Sequence, residues 1–196
     1  MRWALHVGGS FTDVPAASSF YRYIETLLHR GITGGCAAGQ YCPGVSTPRE
    51  QLSVFVLVAR EGAGYLPPAC APPSMFIDVP PSHPFCRFIE ELARRNVVAG
   101  CGGGSFCPGS PVTREQMALF ALRTLDPALA PPACSTPSLF ADVPASSPYC
   151  RWIEELARRH VVAGCGGGNY CPADPVTREQ MGVFISLTFG LTLYGA

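Results

Sequence analysis

Three arginines recur at nearly constant spacing: Arg49, Arg114 and Arg178 lie 65 and then 64 residues apart. Each opens an apolar run of helical character. Each therefore puts a cation in the first turn of a helix, at the positive end of its dipole, where an exposed cation is disfavoured by about 0.3–1 kcal/mol. A local rule broken three times at one register needs compensation, and binding sites are where such compensation is found. A guanidinium beside the free N–H groups of a helix start suits an anion, above all a carboxylate gripped by two parallel hydrogen bonds. The structural alternative is an ion pair with Asp13, Asp78 or Asp142 of a neighbouring unit, holding units together and nothing more.

Ten cysteines are the other residues with chemistry. Cys36/Cys42, Cys101/Cys107 and Cys165/Cys171 are each C-x5-C, while Cys70/Cys86 and Cys134/Cys150 are each sixteen apart. Moving Cys70 and Cys86 back by one repeat lands on Leu5 and Tyr21, so the first copy lacks both members together, as a bonded pair requires. This reads as five disulfides and an oxidising compartment. Zinc is the competing reading. Each C-x5-C supplies only two thiolates, no histidine recurs at an equivalent position, and three loops cannot pair evenly into four-ligand sites. No cofactor is implied. Catalysis finds little support, since His6, His29, His83 and His160 occupy unrelated repeat positions and no two carboxylates form an acid/base pair.

The elements that must carry these residues are themselves repeated. Phe11-Thr-Asp-Val-Pro15 returns as Phe76-Ile-Asp-Val-Pro80 and Phe140-Ala-Asp-Val-Pro144. A first helix follows in each copy: Phe85, Phe88, Ile89, Leu92 and Ala93 fall on one face, as do Phe20, Tyr23, Ile24, Leu27 and Leu28, and Tyr149, Trp152, Ile153, Leu156 and Ala157. Glu90-Glu91 early and Arg94-Arg95 late suit the dipole of a solvated face. Glycines around Gly35, Gly100 and Gly164 are read as the exit from that helix, rather than as a phosphate cradle, which would need a preceding strand and a following Lys-Ser/Thr. The second helix begins at Thr113-Arg-Glu-Gln116 and Thr177-Arg-Glu-Gln180, both capping boxes. In the first copy the cap is predicted one residue earlier, with Thr47 capping, Pro48 at the first helical position and Glu50 at the third. The second helices are apolar on most sides and so are predicted to be central, with the first helices outside them.

Proline-rich linkers at 62–75 and 126–139 divide the chain into units 1–61, 62–125 and 126–196. Each is too small for a secure core of its own, so one compact body is expected. Short strands are allowed for at the termini and linkers, the tail 189–194 among them. Lysine plus arginine equals aspartate plus glutamate, which disfavours nucleic acid as a partner. No apolar stretch approaches membrane-spanning length. The first nine residues lack the apolar core of a signal sequence, so the chain is expected to be part of a longer secreted precursor or a processed product.

This ordered set of motifs resembles the S-layer homology family: Phe-x-Asp-Val, an aromatic-led helix, a Gly-Val-type loop, an aromatic-x-Pro turn, then Thr-Arg before a second helix. The resemblance runs from Phe11 to Glu61, Phe76 to Leu125 and Phe140 to Phe189. It implies a mainly α fold of three tandem helix-loop-helix repeats packed as a pseudo-threefold body with grooves between units. It also implies non-covalent anchoring of an exported protein to bacterial cell-wall polysaccharide, often acidic or pyruvylated, at the extracellular surface. Arg114 and Arg178, and with less of the motif Arg49, would line those grooves. Gly35, Gly100 and Gly164 are candidates for the groove floor, although helix termination already accounts for them. Asp13, Asp78 and Asp142 are candidates too, with a turn-forming role favoured. Tyr41, Phe106 and Tyr170 could equally stack on a sugar or pack beneath the second helix. Three departures bear on the ligand: Thr-Arg-Ala-Glu appears as Thr-Arg-Glu-Gln, Pro48 replaces a threonine, and the cysteines are additional. The rival expectation is a self-assembling subunit of a surface layer or filament, joined by strands from Trp3–Val7 and Leu191–Tyr194.

Overall fold

The computed structural model describes residues 9–195. Its six helices are α1 Tyr21–His29, α2 Arg49–Glu61, α3 Cys86–Arg94, α4 Arg114–Leu125, α5 Cys150–Arg158 and α6 Arg178–Thr188, two per repeat. The fold is mainly α. The apolar second helices α2, α4 and α6 meet one another at the centre, and the first helices lie outside them. Each outer helix packs on the inner helix of the preceding repeat, α3 on α2 and α5 on α4, and α1 on α6 closes the ring. Ile24, Leu27, Ile89, Leu92, Ile153 and Leu156 are the fully buried aliphatic residues of the outer helices, one stripe at helical spacing.

At the pseudo-threefold axis three extended segments join head to tail. Thr47 N–H donates to Val176 O, Val176 N–H to Val112 O and Val112 N–H to Thr47 O, each at 2.9 Å. Isolated bridges Ser46–Thr177, Pro48–Pro111 and Thr113–Pro175 flank this triangle. Among the described residues bridges occur only there and within the cysteine loops, not in the linkers or tail. The expected tail strand is corrected accordingly. Phe189 and Leu191 donate N–H to Ile185 and Ser186 and finish the α6 turn, after which Tyr194 N–H bonds Thr26 Oγ1 and Arg22 bonds Tyr194 O. A helix surface offers no ladder for a strand to join. The strand expected at Trp3–Val7 lies outside the described residues.

Helix ends differ from expectation in two ways. The first helices stop at Gly31, Asn96 and His160, which hold φ of 66°, 57° and 56°, and the next residue's N–H reaches back to Leu27, Leu92 or Leu156. Gly35, Gly100 and Gly164 stand four residues later and do not end the helix. In the first repeat the helix starts at Arg49, not Pro48, and no side chain caps it. The Thr47 backbone is held extended by the axial triangle, and its hydroxyl is buried without a partner among the described residues. Thr113 and Thr177 do cap, accepting from Gln116 and Gln180 N–H, and Thr177 completes a full capping box. All three arginines thus occupy the first helical position.

All ten cysteines are paired: Cys36–Cys42, Cys101–Cys107 and Cys165–Cys171 close the loops, and Cys70–Cys86 and Cys134–Cys150 pin each linker to the start of the following outer helix. A sixteen-residue closure is worth about 3 kcal/mol in the chain-entropy account. No helix among the described residues is long and apolar enough to cross a membrane.

Candidate functional site

The helix starts are built across repeat boundaries. Arg49, Arg114 and Arg178 N–H donate to the carbonyls of Ser110, Asp174 and Val45, and Glu50, Glu115 and Glu179 N–H to Pro108, Pro172 and Pro43. The third N–H of α4 and of α6 goes to its capping threonine. Of the helix N–H groups expected to be free beside each arginine, the first two are engaged by the neighbouring loop and, in α4 and α6, the third by the cap. What remains for an anion is chiefly the side chain.

Each guanidinium lies in a crevice between repeats and is nearly buried, with 4%, 8% and 3% of Arg49, Arg114 and Arg178 exposed. Nε–H donates to the carbonyl of Phe106, Tyr170 or Tyr41 in the next repeat around the ring, at 2.9, 2.8 and 2.7 Å. The plane rests on that aromatic ring, 4.6 to 4.7 Å from its centroid, with Phe120, Phe184 or Phe55 of the adjoining inner helix behind it. Cation–π contact in so dry a setting offsets the unfavourable dipole. Burial pulls the Arg49 and Arg178 pKa values down, while Asp78 and Asp13, with nearby tyrosines, push back.

The aspartates form no ion pair with these arginines. Both carboxylate oxygens of Asp13 accept backbone N–H, from Tyr41 at 2.8 Å and Cys42 at 2.7 Å. Asp78 does the same for Phe106 and Cys107, and Asp142 for Tyr170 and Cys171. Burial would raise the pKa of Asp13 and Asp78, but the N–H donors, joined by Arg178 and Arg49, hold both below the usual carboxylate range. In place of the local turn expected of them, all three carboxylates make a long-range clasp that fastens the start of the repeat to its cysteine loop.

Tyr41, Phe106 and Tyr170 have at most 1% of their surface exposed, so no sugar ring can stack on them. Tyr41 and Tyr170 also donate their hydroxyls to the carbonyls of Arg178 and Arg114, and burial raises both phenol pKa values. The glycines are required by sterics: Gly35, Gly100 and Gly164 hold φ near +90°, and a Cβ would overlap the carbonyl oxygen of Gln40, Ser105 or Asn169.

Two inter-repeat grooves combine these parts. One, of about 310 Å³, is lined by Arg178, Gly35, Gln51, Phe55 and Phe85; the other, of about 240 Å³, by Arg114, Gly164, Gln180, Phe184 and Phe20. The structure thus brings the arginine and the glycine of adjacent repeats to one groove and leaves the aspartates behind it. Sequence reasoning missed the glutamine at the third helical position, which it used only as a cap in the second and third repeats and passed over in the first. Gln51 Oε1 accepts from Arg178 Nη1 at 2.7 Å and Gln116 Oε1 from Arg49 Nη1 at 3.2 Å. It also missed Glu25, Glu90 and Glu154, buried acceptors for the N–H of Ser10, Met75 and Leu139 just ahead of each Phe-x-Asp-Val motif. Their recurrence at 65 and 64 residues was the available signal.

The family model for the S-layer homology domain matches residues 10–43, 76–118 and 139–181. The chain is also 30% identical over 116 residues to a "Cell surface protein" of Thermoanaerobacter kivui, a match covering 59% of this chain. It spans 15% of that relative's length. Each matched segment carries one repeat's aspartate clasp and cysteine loop, and together they take in most of the chain: it belongs to the S-layer homology domain family.

Proposed function

We propose that this chain is a non-catalytic module at the bacterial cell surface, anchoring an exported protein to an acidic envelope polysaccharide through the grooves between its repeats. The observation that carries the reading is a buried guanidinium in each inter-repeat crevice, held by Nε and an aromatic ring, with terminal N–H groups left over. Nη2 of Arg49 and of Arg178 has no hydrogen-bond partner among the described residues. A buried donor without a partner costs about 1–3 kcal/mol, and a carboxylate is the group that two parallel guanidinium N–H groups fit. Arg114, Arg178 and Arg49 are the ligand-facing residues in this reading, with Gly35, Gly100 and Gly164 keeping the groove floor low. Asp13, Asp78 and Asp142 support them from behind. Membership of the S-layer homology family and the name of the cell-surface relative favour a wall-attached role, and five disulfides suit an extracellular setting.

The test is co-sedimentation with purified cell walls, before and after acid extraction of the non-peptidoglycan polysaccharide. Binding should be lost with the extracted polymer and restored by adding it back. Equal sedimentation with bare peptidoglycan would sink the reading. Self-assembly into a layer or filament remains the rival, but joining by the C-terminal tail has no support, since that tail is docked on α1.

A further inference from the structure

The three repeats are alike in backbone but not in how they treat their arginines. Gln51 and Gln116 turn outward from their helix starts and cover Arg178 and Arg49. Nη2 of each covered guanidinium is sealed from solvent with no partner. Gln180, at the same position of α6, turns back instead: its Oε1 accepts the N–H of Thr177 at 3.3 Å and closes the capping box. That leaves Arg114 with one side-chain hydrogen bond among the described residues, from Nε to Tyr170 O. Arg114 lines the groove of about 240 Å³ together with, among others, Phe20, Val162, Gly164, Gln180 and Phe184. Arg114 is more than nine-tenths buried and held by Tyr170 O and two aromatic rings, so its guanidinium is fixed in place, and its terminal nitrogens are not among the atoms sealed from solvent without a partner.

We infer that the grooves are unequal: the Arg114 groove, between the second and third repeats, is the carboxylate subsite that the free protein holds open, and Gln51 and Gln116 are gates over the other two. This inference rests on the polysaccharide reading above and adds to it which groove is filled first and which residue decides. A carboxylate entering at Arg114 displaces no protein hydrogen bond. At Arg178 or Arg49 it must first replace a glutamine oxygen, an exchange that returns little because one acceptor merely takes the place of another. One amide cannot do both, so each glutamine either completes the cap of its own helix or covers the arginine of the preceding repeat around the ring. Only the third repeat's helix has the complete cap.

The test is titration of the intact chain with methyl β-glucuronide, followed through the arginine side-chain N–H signals by NMR, with methyl β-glucoside as the uncharged control. The Arg114 signal should move at about tenfold lower concentration than those of Arg49 and Arg178, a difference worth about 1.4 kcal/mol. Gln51→Ala should bring Arg178 close to Arg114 and raise the stoichiometry from one to two, with the far-ultraviolet dichroism of the folded chain unchanged. Three arginines responding together, or Arg178 first, would overturn the inequality while leaving polysaccharide binding in place. An unchanged Arg178 response in Gln51→Ala would remove the gate. No response from any arginine, or an equal one to the uncharged sugar, would overturn both the inequality and the carboxylate reading on which it rests.

Discussion

Gly164 and Gly34 illustrate how much one side chain decides. Gly164 sits at φ +91°, and an added Cβ would collide with the backbone of Asn169 as well as crowd Phe140. Gly164→Ala should therefore cost about 2–4 kcal/mol by denaturant unfolding, combining left-handed strain with overpacking. Gly34 has open space around its Cβ position, and Ala99 and Ala163 already occupy the equivalent places, so Gly34→Ala should change stability by less than about 0.5 kcal/mol. The sequence made both kinds of glycine look alike, as residues of a Gly-rich helix exit. Comparison of the three copies is what tells them apart: Gly164 recurs as Gly35 and Gly100, whereas position 34 is alanine in the other two copies. The arginines were legible for the opposite reason, because a cation at a helix start breaks a rule that can be read without coordinates. Their aromatic beds were not, since Tyr41 is 137 residues from Arg178.

The outer helices show the same limit one level up. Periodicity located their buried stripe, and the Arg94, Arg95, Arg158 and Arg159 pairs with Glu90, Glu91, Glu154 and Glu155 bear out a bland charged face. It mistook one residue per helix. Glu154 is fully buried and accepts from Ser135 N–H and Oγ and from Leu139 N–H, tying α5 to the linker that leads into its repeat. Charge alone marks a glutamate as solvated; only the fold reveals linker donors converging on it. Burial would raise its pKa, but those donors and Arg158 outweigh burial and lower it. A carboxylate whose folded pKa lies below its unfolded value stabilises the fold fully above about pH 4.3 and loses that contribution as pH falls through the lower, folded value. Glu154→Gln should thus lose about 1–3 kcal/mol near neutrality, and the gap to the unsubstituted protein should narrow below about pH 4. A gap constant from pH 7 to pH 3 in urea titrations would show that the hydrogen bonds do not depend on the charge.

Across the whole molecule, the unit that repeats in sequence is not the unit that packs. Each outer helix rests on the inner helix of the repeat before it, and each inner helix takes its first N–H partners from a neighbour's loop. A mainly α body with central second helices was legible from hydropathy, but this exchange between neighbours was not, because every copy carries the same pattern wherever its partner sits. The chain should unfold in one cooperative transition by far-ultraviolet dichroism and tyrosine fluorescence alike. A shortened chain ending at residue 125 should show no such transition, since α2 and α4 would lack α6 and α1 would lose the surface on which it rests. Two separated transitions in the full chain would mean that the repeats are independent after all.

The axial triangle of Thr47, Val112 and Val176 sets a rule on growth. Every donor in it is matched by the preceding repeat's acceptor, and the circuit closes on itself. Such a circuit has no open valence. A linear array of repeats lengthens by stacking one more on its end, but here a fourth copy would find no unpaired edge at the axis, and a lost copy would leave one donor and one acceptor stranded. Genes for such proteins should therefore gain and lose these modules in threes, with single-step variation confined to the linkers.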